Sequence, residues 1–123
     1  MSPSRLKLLF VCALNKKRSV TAERLYQTDA RLEVRSAGVR FEAKQRVTES
    51  DLKWADAVYV MEHDHKLWIS MRYDELELPP IGVLDIPDRF AAMDPELQTI
   101  LRSLLDPEIE RLLESRERKS SAD

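Results

Sequence analysis

The run Leu6-Lys7-Leu8-Leu9-Phe10-Val11 is apolar at every position except Lys7. A strand that alternates polar and apolar residues can leave one face in water. This one cannot, and it needs cover on both faces. Helices on both sides of a parallel sheet supply that cover. The rest of the chain provides the parts. A short second strand at 32–36 and apolar runs at 57–61 and 81–84 alternate with stretches that read as helices. The expected architecture is a single-domain α/β protein: a four-stranded parallel sheet flanked by helices, with a loop of special composition after the first strand. A length of 123 residues suits one domain.

The helices have their own signals. Ser19 can cap a helix over 20–28, and Thr48-x-x-Asp51 is a capping-box-like start for a short helix to Trp54. A third helix is expected through residues 66–69, to about Tyr73. Asp94 is a natural N-cap and Pro95 a natural first helical residue for a long final helix. That helix carries an apolar stripe from Leu97 through Leu101, Leu105 and Ile109 to Leu113. Pro107 falls inside the stripe and is expected to kink or split it. The domain is expected to cover residues 1–114, with 115–123 a charged tail, frayed or disordered.

The first loop carries the chemistry. Cys12 ends the first strand and is the chain's one cysteine; five residues separate it from Arg18, and Ser19 follows at the start of a helix. A loop of this length can turn its backbone N–H groups, from Ala13 to Ser19, towards one point. The following helix adds its positive end. Arg18 offers a planar fork for two phosphate oxygens. The same field favours the thiolate, which is the nucleophilic form of cysteine. The competing reading is a small apolar residue at the end of a buried strand. Lys16 and Lys17 either extend this positive mouth or form a solvated surface run.

With these residues in view, the chain resembles the low-molecular-weight protein tyrosine phosphatases. The family signature V-C-x-G-N-x-C-R-S is matched at Val11, Cys12, Asn15, Arg18 and Ser19. The likeness resumes at Arg35-Ser36-Ala37-Gly38, at Val47-Thr48-Glu49-Ser50-Asp51-Leu52 and at Ala55-Asp56-Ala57-Val58-Tyr59-Val60-Met61. It ends near Leu84-Asp85-Ile86-Pro87-Asp88. Leu14 replaces the family's loop glycine and Lys17 its second loop cysteine. The segment between Gly38 and Val47 is shorter than in the family, where it carries an aromatic wall and a buttressing histidine. Phe41 is the one wall candidate left there.

The resemblance implies a phosphomonoester hydrolase working through a cysteinyl-phosphate. Cys12 is the expected nucleophile and Arg18 the oxyanion ligand. Asp85 is the favoured general acid, with Asp88 the alternative. Ala13, Leu14, Asn15, Lys16, Lys17, Ser19 and Phe41 are expected to meet the substrate. Asn15, Ser19 and Ser36 are expected to support the loop, Asn15 by bonding to Ser36. Two alternatives stay open: a catalytically weak anion-binding or regulatory module on the same fold, and a phosphatase for a nucleotide or RNA-end phosphate. Arsenate reduction is disfavoured, since those relatives need further cysteines.

The expected partner is a phosphorylated substrate, a phosphoprotein or another phosphomonoester. The formal charge of −2 gives no support to general nucleic-acid binding. No cofactor is expected, and no metal, because His63 and His65 stand two apart on a helix and do not converge. No apolar run is long enough to span a bilayer, and the single cysteine suits a reducing cytoplasm.

Overall fold

The computed structural model describes residues 4–121, with side chains to residue 119. Strand β1 (Leu6–Cys12) leads into helix α1 (Arg18–Tyr26). Then come β2 (Leu32–Gly38), α2 (Glu49–Trp54), β3 (Ala57–Val60), α3 (His63–Arg72), β4 (Ile81–Val83) and α4 (Pro95–Ser121). The four strands form one sheet in the order β2-β1-β3-β4. Every pairing is parallel, as the uninterrupted apolar character of β1 requires.

Strand β1 is buried on both faces. Leu6, Leu8, Phe10 and Cys12 point to one side, where they meet Ala22 and Tyr26 of α1 and Leu97, Leu101, Leu105 and Ile109 of α4. Leu9 and Val11 point to the other, against Leu52 of α2 and Ile69 of α3. Each such buried aliphatic side chain is worth about 1.5–3 kcal/mol relative to exposure. Lys7 is half-buried, and its backbone N–H is held by the Asp56 carboxylate at 2.9 Å.

Three expectations change. Helix α1 starts at Arg18, capped by Lys17 without a side-chain bond. Ser19 is therefore inside the helix and its hydroxyl faces the loop, so it does not cap. Helix α4 runs unbroken through Pro107. Leu105 and Ile109 lie on either side of the proline in the same core cluster, so both halves of the helix are packed where the ring removes a bond. The helix also continues to Ser121, past the expected boundary at residue 114. Arg116 donates to the Ser4 carbonyl and hydroxyl, tying this end to the start of β1. Residues 122–123 of the expected tail lie outside the described residues. Elsewhere the signals hold. Thr48 and Asp51 make both capping-box bonds of α2, and Asp94 accepts from the Glu96 N–H at the start of α4.

The chain leaves β1 for β2 on one side and returns past it to β3 on the other. The strand order thus reverses direction at β1. In open parallel sheets this is where the carboxyl ends of neighbouring strands part and leave a crevice for a ligand.

Candidate active site

The crevice is filled by the loop from Cys12 to Arg18. Asn15 takes the left-handed conformation, with φ of 57°. Asparagine tolerates this geometry better than most side chains. Leu14 keeps an ordinary φ, so the glycine it replaces is not needed for the turn. The loop carbonyls are bound from the side. Val39 donates to Cys12 O at 3.1 Å, Arg40 to Ala13 O at 3.0 Å and Lys44 to Leu14 O at 3.0 Å. Gly38 makes this approach possible. A Cβ there would lie 2.7 Å from Ala13 O and from the Ala43 Cβ.

Inside the loop, Cys12 Sγ is 2.9 Å from Ser19 Oγ, and Asn15 Nδ2 donates to that same hydroxyl at 3.0 Å. When the sulfur is a thiolate it can only accept, so the Ser19 proton points to it. The result is a donor chain from Asn15 through Ser19 to sulfur. Ser36 is not part of it. Its hydroxyl donates instead to Glu23 at 2.8 Å, joining β2 to α1. The expected Asn15–Ser36 bond is not made: Asn15 bonds Ser19, and Ser36 gives its one proton to Glu23.

Arg18 is 2 % exposed. Its Nη1 donates to Glu62 Oε2 at 2.7 Å and to the Ile86 carbonyl at 2.6 Å. Both Nη1 hydrogens are thus used. The remaining edge, Nε and Nη2, is the one that grips two oxygens of an anion in parallel. Glu62 was not anticipated. The signal was its place one residue beyond Met61, at the carboxyl end of β3. Arg18 holds the Glu62 carboxyl below the usual carboxylate range, chiefly by that hydrogen bond. His65 lies beside them, 4 % exposed, its Nδ1 accepting from the Glu62 N–H at 3.1 Å. Burial, and then the Arg18 charge, push its pKa down. His65 is therefore a neutral acceptor that closes the start of α3. Among the described residues no cluster of histidine, cysteine and carboxylates has metal-site geometry.

The two aspartates separate. Asp85 follows β4 directly with φ of 57°, and its side chain is exposed. Its backbone turns the chain so that Ile86 returns to the core and presents its carbonyl to Arg18. Asp88 stands between the buried anchors Ile86 and Phe90. Its carboxylate is 3.8 Å from Arg18 Nε. A small cavity of about 50 Å³ is lined by Cys12, Ala13, Leu14, Lys16, Lys17, Arg18 and Asp88. Asp85, the favoured acid of the sequence reading, does not line it. Phe41 sits on the tip of the turn from Arg40 to Ala43, beside the loop, and is 82 % exposed.

A parallel sheet with an anion-binding loop at its switch point, a cysteine at the loop's start and an arginine at its end defines a class of α/β phosphate-loop proteins. Comparison with solved structures narrows the fold. YwlE arginine phosphatase from Geobacillus stearothermophilus is similar over 96 % of this chain and 97 % of its own, with 25 % identity and a TM-score of 0.65. A low-molecular-weight protein tyrosine phosphatase from Streptococcus pyogenes is similar over 87 % of this chain and 93 % of its own (15 % identity, TM-score 0.68). The Drosophila arginine phosphatase DARP covers 90 % of this chain, and 98 % of DARP is covered in return (18 % identity, TM-score 0.63). No family model matches the sequence, and no curated protein matches it. The chain has the low-molecular-weight protein tyrosine phosphatase fold that its sequence resembles.

Proposed function

We propose that this chain hydrolyses phosphomonoesters through a cysteinyl-phosphate at Cys12. The observation that carries the reading is the 2.9 Å contact of Cys12 Sγ with Ser19 Oγ in a cavity shared with Arg18 and Asp88. Sulfur attacks phosphorus, and the bond from phosphorus to the leaving oxygen breaks as the sulfur–phosphorus bond forms. Arg18 and the loop N–H groups hold the three equatorial oxygens as charge spreads over them. Asp88 gives its proton to the leaving oxygen. As a carboxylate it then takes a proton from water, which attacks the phosphocysteine and releases inorganic phosphate and the thiolate. Ser19 stabilises that thiolate. Structural relatives support the covalent step: in a Cys→Ser variant of YwlE arginine phosphatase the active-site serine is phosphorylated.

Asp88 replaces Asp85 as the acid in this reading because a general acid has to reach the leaving group, and Asp88 faces the cavity. The test is p-nitrophenyl phosphate turnover by wild type and Cys12→Ser, with rapid-quench peptide mapping of the phosphorylated residue. Loss of turnover in the variant and a phosphorylated Cys12 in the wild type are expected. Turnover by Cys12→Ser near the wild-type rate would leave the rival, an anion-binding module with Cys12 as packing, in possession.

A further inference from the structure

The cavity beside Cys12 is about 50 Å³. Its lining is the loop and Asp88 alone, with no side chain placed to hold a base or an aromatic ring inside it. Whatever the phosphate is attached to must lie on the rim. The rim is cationic although the chain is not. Lys16 and Lys17 form one side of it, exposed. The neighbouring strip carries three more exposed cations: Arg40 and Lys44, whose backbone N–H groups bond the loop carbonyls, and Arg46, bridged to Gly38. Arg40 is close enough to the Arg18–Glu62–His65 group to lower the pKa of both Glu62 and His65. The carboxylates on this side are Glu62, already paired with Arg18, then Asp64 beside His65, Asp88 and Asp85 on the facing loop, and Glu42. Charges farther off are screened over about 8 Å at physiological salt, so the net charge of the whole chain does not cancel this patch.

Phe41 adds a second kind of recognition. Its ring is exposed on the same strip, with the Arg46 guanidinium 5.5 Å above its centroid. An aromatic face beside arginine, next to a run of cations, is a platform for a flat base on a polyanionic backbone. Phosphoarginine would bring its own positive guanidinium against Lys16 and Lys17.

We propose that the substrate is a nucleotidyl phosphomonoester carrying at least one further phosphate, its base on Phe41 and its other phosphates on the rim. The proposal rests on the phosphatase reading above. The bond broken joins phosphorus to a terminal sugar oxygen; that oxygen takes the Asp88 proton, and water later releases phosphate from sulfur. The experiment compares kcat/KM for a 5′-phosphorylated single-stranded oligonucleotide, a nucleoside 3′,5′-bisphosphate, an acidic phosphotyrosine peptide and p-nitrophenyl phosphate. The wild type and a Lys44→Ala/Arg46→Ala double variant are measured across a salt series. One of the two nucleotide substrates should be preferred over the peptide. The double variant should lose that preference about tenfold and lower the salt slope on the oligonucleotide by roughly 0.7 per cation removed, while p-nitrophenyl phosphate turnover falls much less. A preference for the bisphosphate assigns the site to free nucleotides, and a preference for the oligonucleotide assigns it to nucleic-acid ends. A better rate on the acidic peptide, or a double variant that behaves as wild type, overturns the proposal. If no substrate is turned over, the phosphatase reading fails by itself, and anisotropy of a labelled 5′-phosphorylated oligonucleotide decides this one. Salt-sensitive binding weakened in the double variant then upholds the ligand class without the reaction, and no binding overturns both.

Discussion

The loop from Cys12 to Ser19 and the loop from Asp85 to Asp94 face each other across one small cavity, and they are built on opposite plans. In the first, Cys12, Asn15, Arg18 and Ser19 are all buried, and their side chains bond to one another or to neighbouring elements. Its carbonyls are bound from the side by residues 39–44. In the second, Ile86 and Phe90 are buried, and Met93 N donates to Thr21 Oγ1 at 2.9 Å, but Asp85, Pro87, Asp88 and Arg89 are exposed. The difference follows from the work. Donors that stabilise a transition state are worth most when fixed in place and shielded from water. A group that gives a proton and then takes one must meet water and alternate between two charge states. On the proposed mechanism the first loop supplies a constant field and the second a changing charge.

The largest effect expected from this contrast is at Arg18. Arg18→Lys keeps the charge and loses the fork, along with the two Nη1 bonds that aim it. Removing one preorganised oxyanion donor costs about 10²–10³-fold, so losing two together should cost about 10³-fold or more in kcat. Because the fork binds the phosphoryl oxygens and not the leaving group, the loss should be the same for activated and poor esters. Steady-state rates on a series of aryl phosphates check it. A loss that grows as the leaving group worsens would erase the division of labour between the loops.

Most of the fixed loop was legible in the sequence, because its design is local. A buried strand, a cysteine at its end, an arginine and a helix start all lie within residues 6–19. The partners that complete it come from elsewhere and left weaker marks. Nothing local to Glu62 says that it holds Arg18; only its place beyond β3 points to the site. His65 reads as a solvated helix residue, since single-residue character does not reveal that its ring turns inward. The acid loop was half legible. Its position after β4 followed from the strand order, but strand-end proximity favoured Asp85. The left-handed turn at Asp85 and the return of Ile86 to the core bring the later aspartate to the cavity. Such a turn is set by tertiary contacts and not by a periodic pattern. Pro107 does not split α4, since the helix packs on both sides of it.

The second effect belongs to the acid loop. Asp88→Asn should slow hydrolysis of alkyl or weakly activated aryl phosphates about 10²-fold, within the range for general acid–base catalysis. It should matter much less for activated esters, whose leaving group departs without a proton. Asp85→Asn should be nearly silent, since asparagine also accepts the left-handed backbone at this position. A leaving-group series on both variants decides between them. The reverse result, with Asp85→Asn carrying the leaving-group dependence, would move the acid back to the end of β4 and make Asp88 a rim residue.

The smallest effect sits where the two loops share a support. His65 is neutral in the fold, its Nδ1 accepting from the Glu62 N–H while Glu62 in turn holds Arg18. Burial and the Arg18 charge lower its folded pKa, against a weaker opposing pull from Glu62 and Asp64. The unfolded chain therefore binds more protons at this position once the pH drops below the ordinary histidine value of about 6.5. By linkage, stability falls with decreasing pH through that window and is unaffected by His65 well above it. His65→Gln removes the titration and keeps a side-chain carbonyl that can accept the same N–H. Its thermal midpoint should match the wild type at pH 8 to within a few degrees and decline less steeply between pH 7 and pH 5. Parallel midpoint curves for the two proteins would mean that His65 takes its proton without cost. The support beneath Arg18 would then be indifferent to pH, and the fixed loop would owe its constancy to Glu62 and the Ile86 carbonyl alone.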